Sequence, residues 1–114
     1  MAGTVSRPLD DDTRLLRWLR REVNRDLRRW RDPVMCAAPD EITFRVADCK
    51  AKLELIRWAE SWQRVRGPDY APADRPDVQG AMIGKLEMIM HAVRYVAGGY
   101  RNREGYRPEW DHAR

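Results

Sequence analysis

The chain has 114 residues, a formal net charge of +4 and a sequence pI of about 9.4. This length is typical of one domain with one hydrophobic core. Apolar residues make up 43% of the chain, and no apolar run approaches the ~18–20 residues that cross a bilayer. Its start lacks the apolar segment of a secretory signal. We therefore expect a cytoplasmic protein without membrane contact, and the presence of only two cysteines agrees with this.

The first helix is predicted over about residues 12–31. Residues 10–13, three aspartates and a threonine, offer capping oxygens and the negative charge that helix starts favour. Apolar residues then recur every three or four positions, at Leu16, Leu19, Val23, Leu27 and Trp30. This spacing is typical of an amphipathic helix with one face in a core.

The second helix is predicted over about residues 40–66, after a segment with two prolines. One apolar stripe alternates steps of four and three, like the core positions of a coiled coil. It consists of Ile42, Val46, Cys49, Leu53 and Ile56. A second stripe follows on a neighbouring face, with Leu55, Trp58, Trp62 and Val65. Two apolar faces indicate that the later half of this helix is buried on two sides, or that one side meets a partner.

The third helix is predicted over about residues 78–97, after a proline-rich loop and before Gly98-Gly99. Its apolar face contains Val78, Met82, Leu86, Ile89, Val93 and Val96. The remaining tail is aromatic and basic, and its Tyr106 and Trp110 are large enough to pack onto the helices. The predicted fold is all-α. It is an antiparallel three-helix bundle in a single domain over residues 1–114, with an N-terminal tail and a C-terminal aromatic and basic tail packed on it.

The end of the chain resembles the signature of a known family. Residues 91–110 read HAVRYVAGGYRNREGYRPEW, in which Tyr100, Tyr106-Arg107, Glu109 and Trp110 match a Y…GYRxEW-type pattern. This is similar to the ending LRLLALPYADHPDYREEWRP of a small actinobacterial and actinophage domain family of unknown function. Residues 46–56 are similar to that family's VLREVEAKRRIV helix, and residues 15–26 resemble its first helix loosely. The resemblance implies a helical fold and an actinobacterial or phage origin, and it carries no activity. With that origin, the expected location is the cytoplasm of a bacterium, or of the host if the chain is phage-encoded.

The first predicted helix is strongly basic, with eight arginines between residues 14 and 31 against only two acids. Five of them line one side at steps of three and four, and we call these the Arg stripe: Arg14, Arg17, Arg21, Arg25 and Arg28. Such a stripe can follow a phosphate backbone. It can equally be a solvated face whose arginines pair with acids on the second helix or on a partner. Because 19 of the 22 basic residues are Arg, a G- and C-rich coding genome also explains the excess.

Five tryptophans are many for a chain of this size. Trp18 and Trp58 lie beside the main apolar stripes, and Trp62 lies on the second stripe of the second helix. Exposed Trp and Arg residues dominate the binding energy of protein interfaces, so these positions are candidate contacts. The alternative is that all five tryptophans cover the core of a small bundle.

Residues that could perform chemistry are few. Glu87 and His91 share a face of the third predicted helix, but the only other histidine is His112, and the two cysteines match no zinc spacing. The chain contains no phosphate-binding loop, nucleophile elbow or HExxH motif. We therefore expect no enzymatic activity, no metal, no cofactor and no small-molecule substrate.

The leading hypothesis is a non-catalytic interaction protein that binds a protein partner or itself through an Arg/Trp surface of helices one and two. One form of this hypothesis is a phage-encoded modulator of host machinery. Its candidate contacts are Arg14, Arg17, Trp18, Arg21, Arg25, Arg28, Trp58 and Trp62, with Tyr100, Tyr106, Arg107 and Trp110 in the tail. The alternative is a nucleic-acid-binding accessory protein that uses the Arg stripe and the Arg/Tyr tail.

Overall fold

The computed structural model describes residues 8–64 and 76–111, which contain helices and no strand. The helices are α1 (Pro8–Arg31), α2 (Pro39–Arg64) and α3 (Pro76–Gly98), followed by a short 3₁₀ helix over Pro108–Trp110. All three α-helices begin at a proline, whose fixed φ suits the first helical position and whose missing N–H would have no partner there. Residues 1–7 of the predicted N-terminal tail (residues 1–9), the last residues predicted for α2 (65 and 66) and His112 lie outside the described residues.

The three helices pack in alternating directions. Arg20, in the middle of α1, pairs with Glu60, late in α2, while Arg45, early in α2, lies 5.5 Å from the ring centre of Trp30, at the end of α1. α1 and α2 are therefore antiparallel. α2 and α3 are antiparallel as well, because Lys52 Nζ donates to Tyr100 Oη at 3.2 Å and Lys85 Nζ lies 5.5 Å from the ring centre of Trp62. The predicted antiparallel three-helix bundle is confirmed.

The core forms where the predicted apolar faces of the three helices meet. Its fully buried side chains include Leu15, Leu16, Leu19 and Val23 from α1, Ile56 from α2 and Val93 from α3. The helix patterns thus place the core correctly. The start of α1 differs from the prediction: the helix begins at Pro8 instead of near residue 12, and so includes residues 8 and 9 of the predicted tail. Asp11 and Asp12 therefore lie inside its first turns, where their charge still favours the helix dipole.

The C-terminal tail, residues 99–111, turns back and packs on α1. Trp110 is buried, and its ring centre lies 5.4 Å from that of Trp18 and 5.6 Å from that of Tyr106. The Arg103 guanidinium donates two hydrogen bonds of 2.9 Å to the Asp26 carboxylate. The aromatic and basic residues of the tail therefore hold it in place, as predicted from their size.

Gly105 allows the tail to pass close to α1. Its φ is +91°, a left-handed conformation that side chains with a Cβ rarely adopt. A Cβ at this position would lie 2.6 Å from Trp18 Nε1. The same indole nitrogen donates a hydrogen bond to the Glu104 carbonyl oxygen at 3.1 Å. Glycine is thus required here both by the backbone and by the tryptophan beneath it.

None of the helices within residues 8–64 and 76–111 is both long and apolar enough to span a membrane.

Candidate interaction surfaces

The tail covers several residues that were predicted to bind a partner. Trp18 is only 5% exposed because Tyr106, Trp110 and the backbone of Glu104 enclose it. Tyr100 and Trp110 are also buried. These side chains stabilise the domain and contribute nothing to an outer surface, which corrects the sequence-based interpretation of them as contact residues. Local sequence spacing could not predict the burial of Trp18, because Trp18 and Glu104 are 86 positions apart.

Tyr106 and Arg107 also act within the tail. The Tyr106 hydroxyl donates to Asp111 Oδ1 at 2.5 Å. Burial and this hydrogen bond raise the pKa of Tyr106 to about 12, so the phenol is neutral at physiological pH. Arg107 is exposed, and its Nη1 lies 3.8 Å from a carboxylate oxygen of Glu109. Of the tail residues predicted as contacts, Arg107 alone is exposed to solvent.

The Arg stripe lies on the side of α1 that points away from the core. All five of its arginines are exposed, and the buried residues Leu15 and Leu19 lie on the opposite side of the helix. Arg25 is the one member that approaches a carboxylate among the described residues, with Nη1 3.6 Å from Glu22 Oε1. The stripe therefore presents four guanidinium groups without an ion pair from the described part of the chain, plus a fifth that is weakly paired.

α2 carries a second exposed surface, which is apolar. Phe44 is 64% exposed and Trp58 is 59% exposed, and two exposed alanines and the half-buried Leu55 lie between them. We call these five residues the α2 seam: Phe44, Ala47, Ala51, Leu55 and Trp58. Ala51, Leu55 and Trp58 line a shallow groove of about 710 Å³, whose polar rim includes Glu54 and Arg57. Phe44 and the alanines were absent from the predicted contacts, although their spacing of three and four residues is readable in the sequence.

α3 also carries exposed apolar side chains. Trp62 is half-buried between the two helices, where Lys85 stacks on its ring. Met88, which is 72% exposed, follows Lys85 by three positions and so neighbours it on the surface of α3. Tyr95, which is 67% exposed, lies seven positions after Met88 on the same side. Met88 and Tyr95 lie roughly 160–180° around the helix from the buried Leu86, so both are on the side of α3 that points away from the core and are separate from the α2 seam.

The Arg stripe and the tryptophans do not form one surface. α2 contacts α1 through Glu60, and Trp58 lies two residues before it, about 200° around the helix and so on the far side from α1. Trp18 is under the tail, and Trp62 lies between α2 and α3. The predicted Arg/Trp surface of helices one and two is therefore replaced by two separate faces, one basic on α1 and one apolar on α2.

The side chains that could take part in catalysis or metal binding do not lie together. Glu87 and His91 are both exposed on α3. Among the described residues, no three His, Cys, Asp or Glu side chains lie close enough to hold a metal ion. Cys36 is exposed and Cys49 is buried, both as free thiols, and burial raises the pKa of Cys49. Nothing in this arrangement resembles an activated nucleophile with its base.

No known protein family, curated protein or solved structure in the comparisons matches this chain.

Proposed function

We propose that this chain is a non-catalytic interaction protein that binds a protein partner, or a second copy of itself, through the α2 seam. The observation that carries this proposal is the exposed Trp58, 59% open to solvent at one end of the α2 seam, with Phe44, 64% exposed, at the other end. The fold buries the indole rings of Trp18 and Trp110 but leaves the ring of Trp58 exposed. Contiguous exposed apolar residues of this kind mark protein interaction sites.

The shape of the α2 seam suits a helix as the partner element. Its apolar residues recur at steps of three and four along about 21 Å of helix, the spacing by which helices pack side by side. Ala47 and Ala51 allow a partner backbone to approach, while Phe44 and Trp58 provide large anchors at the two ends. Aromatic anchors that become fully desolvated supply most of the binding energy in such contacts.

A second candidate function, nucleic-acid binding, is supported by the Arg stripe. Its five guanidinium groups point outward over about 21 Å, and bidentate hydrogen bonding makes Arg well suited to phosphate. The tail does not extend this surface, because Arg103 is held by Asp26 and Tyr100 is buried. Nucleic acid would therefore contact α1 alone, without a helix-turn-helix reader.

The cellular setting belongs to the same proposal. Two free thiols, one of them exposed, suit the reducing conditions of a cytoplasm. The resemblance of the chain's end to an actinobacterial and actinophage family supports an origin in such a bacterium or its phage. A role in modulating host machinery is part of the proposal and rests on that origin alone.

The first proposal is tested by capture of proteins from an actinobacterial lysate on the immobilised chain. The Phe44→Ser/Trp58→Ser variant removes both anchors, and Val34→Ser is the matched control, because Val34 is an exposed apolar residue in the connection between α1 and α2. We expect at least one protein that the control retains and the double variant loses. An identical set on both variants would contradict binding through the α2 seam.

The second candidate is tested by titrating duplex DNA and RNA with the chain at several salt concentrations. Binding through four or five phosphate contacts predicts a log–log salt slope of about −4. The Arg14→Gln/Arg17→Gln/Arg21→Gln variant should lose most of this slope. A control with the same loss of charge, Arg57→Gln/Arg101→Gln/Arg107→Gln, should keep it. Equal weakening of both variants, or no binding at low salt, would rule out a nucleic-acid site on α1.

A further inference from the structure

We infer that the occupant of the α2 seam is the α2 seam of a second copy of this chain, packed antiparallel with Ala51 of both copies at the two-fold axis. This inference rests on the proposed function and names its partner. It follows from a symmetry in the sequence of the seam that the fold places on one exposed face.

The α2 seam is a palindrome of side-chain positions. Phe44 and Trp58 each lie seven residues from Ala51, and Ala47 and Leu55 each lie four residues from it. A two-fold axis through Ala51 therefore pairs Phe44 with the other copy's Trp58, and Ala47 with the other copy's Leu55. An interface between identical copies must be self-complementary in this way.

The paired side chains are complementary in size. At the axis, alanine meets alanine, which permits an interaxial distance near the ~8 Å lower limit for packed helices. On either side, the small Ala47 faces the larger Leu55, so the two surfaces interdigitate. At both ends an exposed phenyl ring meets an exposed indole, a pairing that adds binding energy beyond burial.

Charges beside the seam agree with the same arrangement. Lys50 and Glu54 are exposed and, being four residues apart, lie on the same side of the seam. The axis through Ala51 brings Lys50 of one copy next to Glu54 of the other, twice by symmetry, and the two Lys50 side chains near each other once, so the attractive pairs outnumber the repulsive one. Glu54 already accepts hydrogen bonds from Arg57 in its own chain, so the added lysine completes a network across the rim. Such rim charges fix orientation more than they add affinity.

The packing of α3 leaves the Phe44 end of the α2 seam open. The chain leaves α3 near Tyr100, which meets Lys52 in the middle of α2, and the tail then follows α1 towards Asp26. The side of α2 around Phe44 is therefore open, and the other copy's Trp58 can reach it. A contact along about 21 Å of one helix is small for a stable interface, so we expect dissociation constants in the micromolar range.

Cysteine cross-linking tests the position of the axis. In a Cys36→Ser background, which removes the exposed native thiol, Ala51→Cys places two thiols at the axis within the ~7 Å between Cα atoms that a disulfide allows. Ala47→Cys is the matched control on the same face, because its two copies lie about 12 Å apart along the helix axis. We expect Ala51→Cys to form covalent dimers under mild oxidation at least about tenfold faster than Ala47→Cys. Adding Trp58→Ser should slow the reaction.

Sedimentation velocity of the unmodified chain provides the second readout. We expect a monomer–dimer equilibrium over about 5 to 500 µM that Trp58→Ser shifts to at least about tenfold weaker association and that Val34→Ser leaves unchanged. Equal cross-linking of both cysteine variants, or a monomer throughout the range, would overturn the antiparallel dimer. If the chain does not dimerise but still captures a lysate protein through Trp58, the α2 seam binds a different protein. If the chain neither dimerises nor captures a protein through Trp58, the proposed function itself is refuted.

Discussion

Replacement of Gly105 by alanine tests how the tail is held on α1. The added Cβ would lie 2.6 Å from Trp18 Nε1, closer than any real contact, and the backbone would keep a φ of +91° that alanine disfavours. Gly105→Ala must therefore move the tail, the Trp18 ring or both. Either movement breaks the hydrogen bond from Trp18 to Glu104 and disturbs the contacts of Trp18 with Tyr106 and Trp110.

The magnitude follows from these separate losses. A left-handed conformation costs a residue with a Cβ about 1–2 kcal/mol. An indole N–H left buried without an acceptor costs about 1–3 kcal/mol. Relaxation of the tail recovers part of this sum, and we expect a net loss of about 3 kcal/mol. In a domain of this size, that corresponds to a fall in Tm of roughly 12 °C.

Urea and thermal unfolding followed by far-UV circular dichroism measure the effect. Gly84→Ala is the matched control, because Gly84 lies in α3 with nothing within 4 Å of its potential Cβ. This control should gain about 0.5–1 kcal/mol, since alanine favours a helix more than glycine does. If Gly105→Ala is as stable as the original chain, the close passage of the tail over Trp18 is wrong.

Three further perturbations probe the same features. Trp18→Ala should lower the free energy of unfolding by about 3–5 kcal/mol, whereas Trp58→Ala should change it by no more than about 0.5 kcal/mol. Equal losses in urea unfolding would contradict the contrast in burial between the two tryptophans. Arg103→Gln should cost about 1–2 kcal/mol because it leaves the buried Glu22 carboxylate with a single distant arginine, and a second change of Glu22 to Gln should recover part of that loss. Because the pKa of Tyr106 rises from 10.0 to about 12 on folding, its contribution to stability is complete below pH 10 and declines up to about pH 12. Tyr106→Phe should flatten that decline in urea midpoints measured across this range, and an unchanged slope would argue against the contact with Asp111.

The helices and the core were predictable because their signals are local. Leu16, Leu19 and Val23 recur at helical spacing and are buried as that spacing predicts. The start of α1 was placed too late because the three aspartates suggested a cap, whereas Pro8 at the first helical position was the stronger signal.

The positions of the tryptophans could not be predicted from the same signals. Trp18 lies at the edge of the apolar face of α1, so its burial depends on whether a distant segment covers it. That segment is the tail, which is held by contacts between residues some 80 positions apart. Helical periodicity carries no information about such contacts. The α2 seam was visible as a spacing, but only the position of α3 shows that it remains uncovered.

The contrast between Trp58 and Trp18 can be measured directly by ¹⁹F NMR of the chain labelled with 5-fluorotryptophan. Individual Trp→Phe variants assign the five resonances. We expect Trp58 to show the largest solvent isotope shift in dilute protein and to change most when a partner or a second copy binds, while Trp18 and Trp110 stay insensitive to solvent. A solvent-exposed Trp18, or a Trp58 that is shielded in the dilute monomer, would contradict the separation of a buried tail contact from an exposed α2 seam.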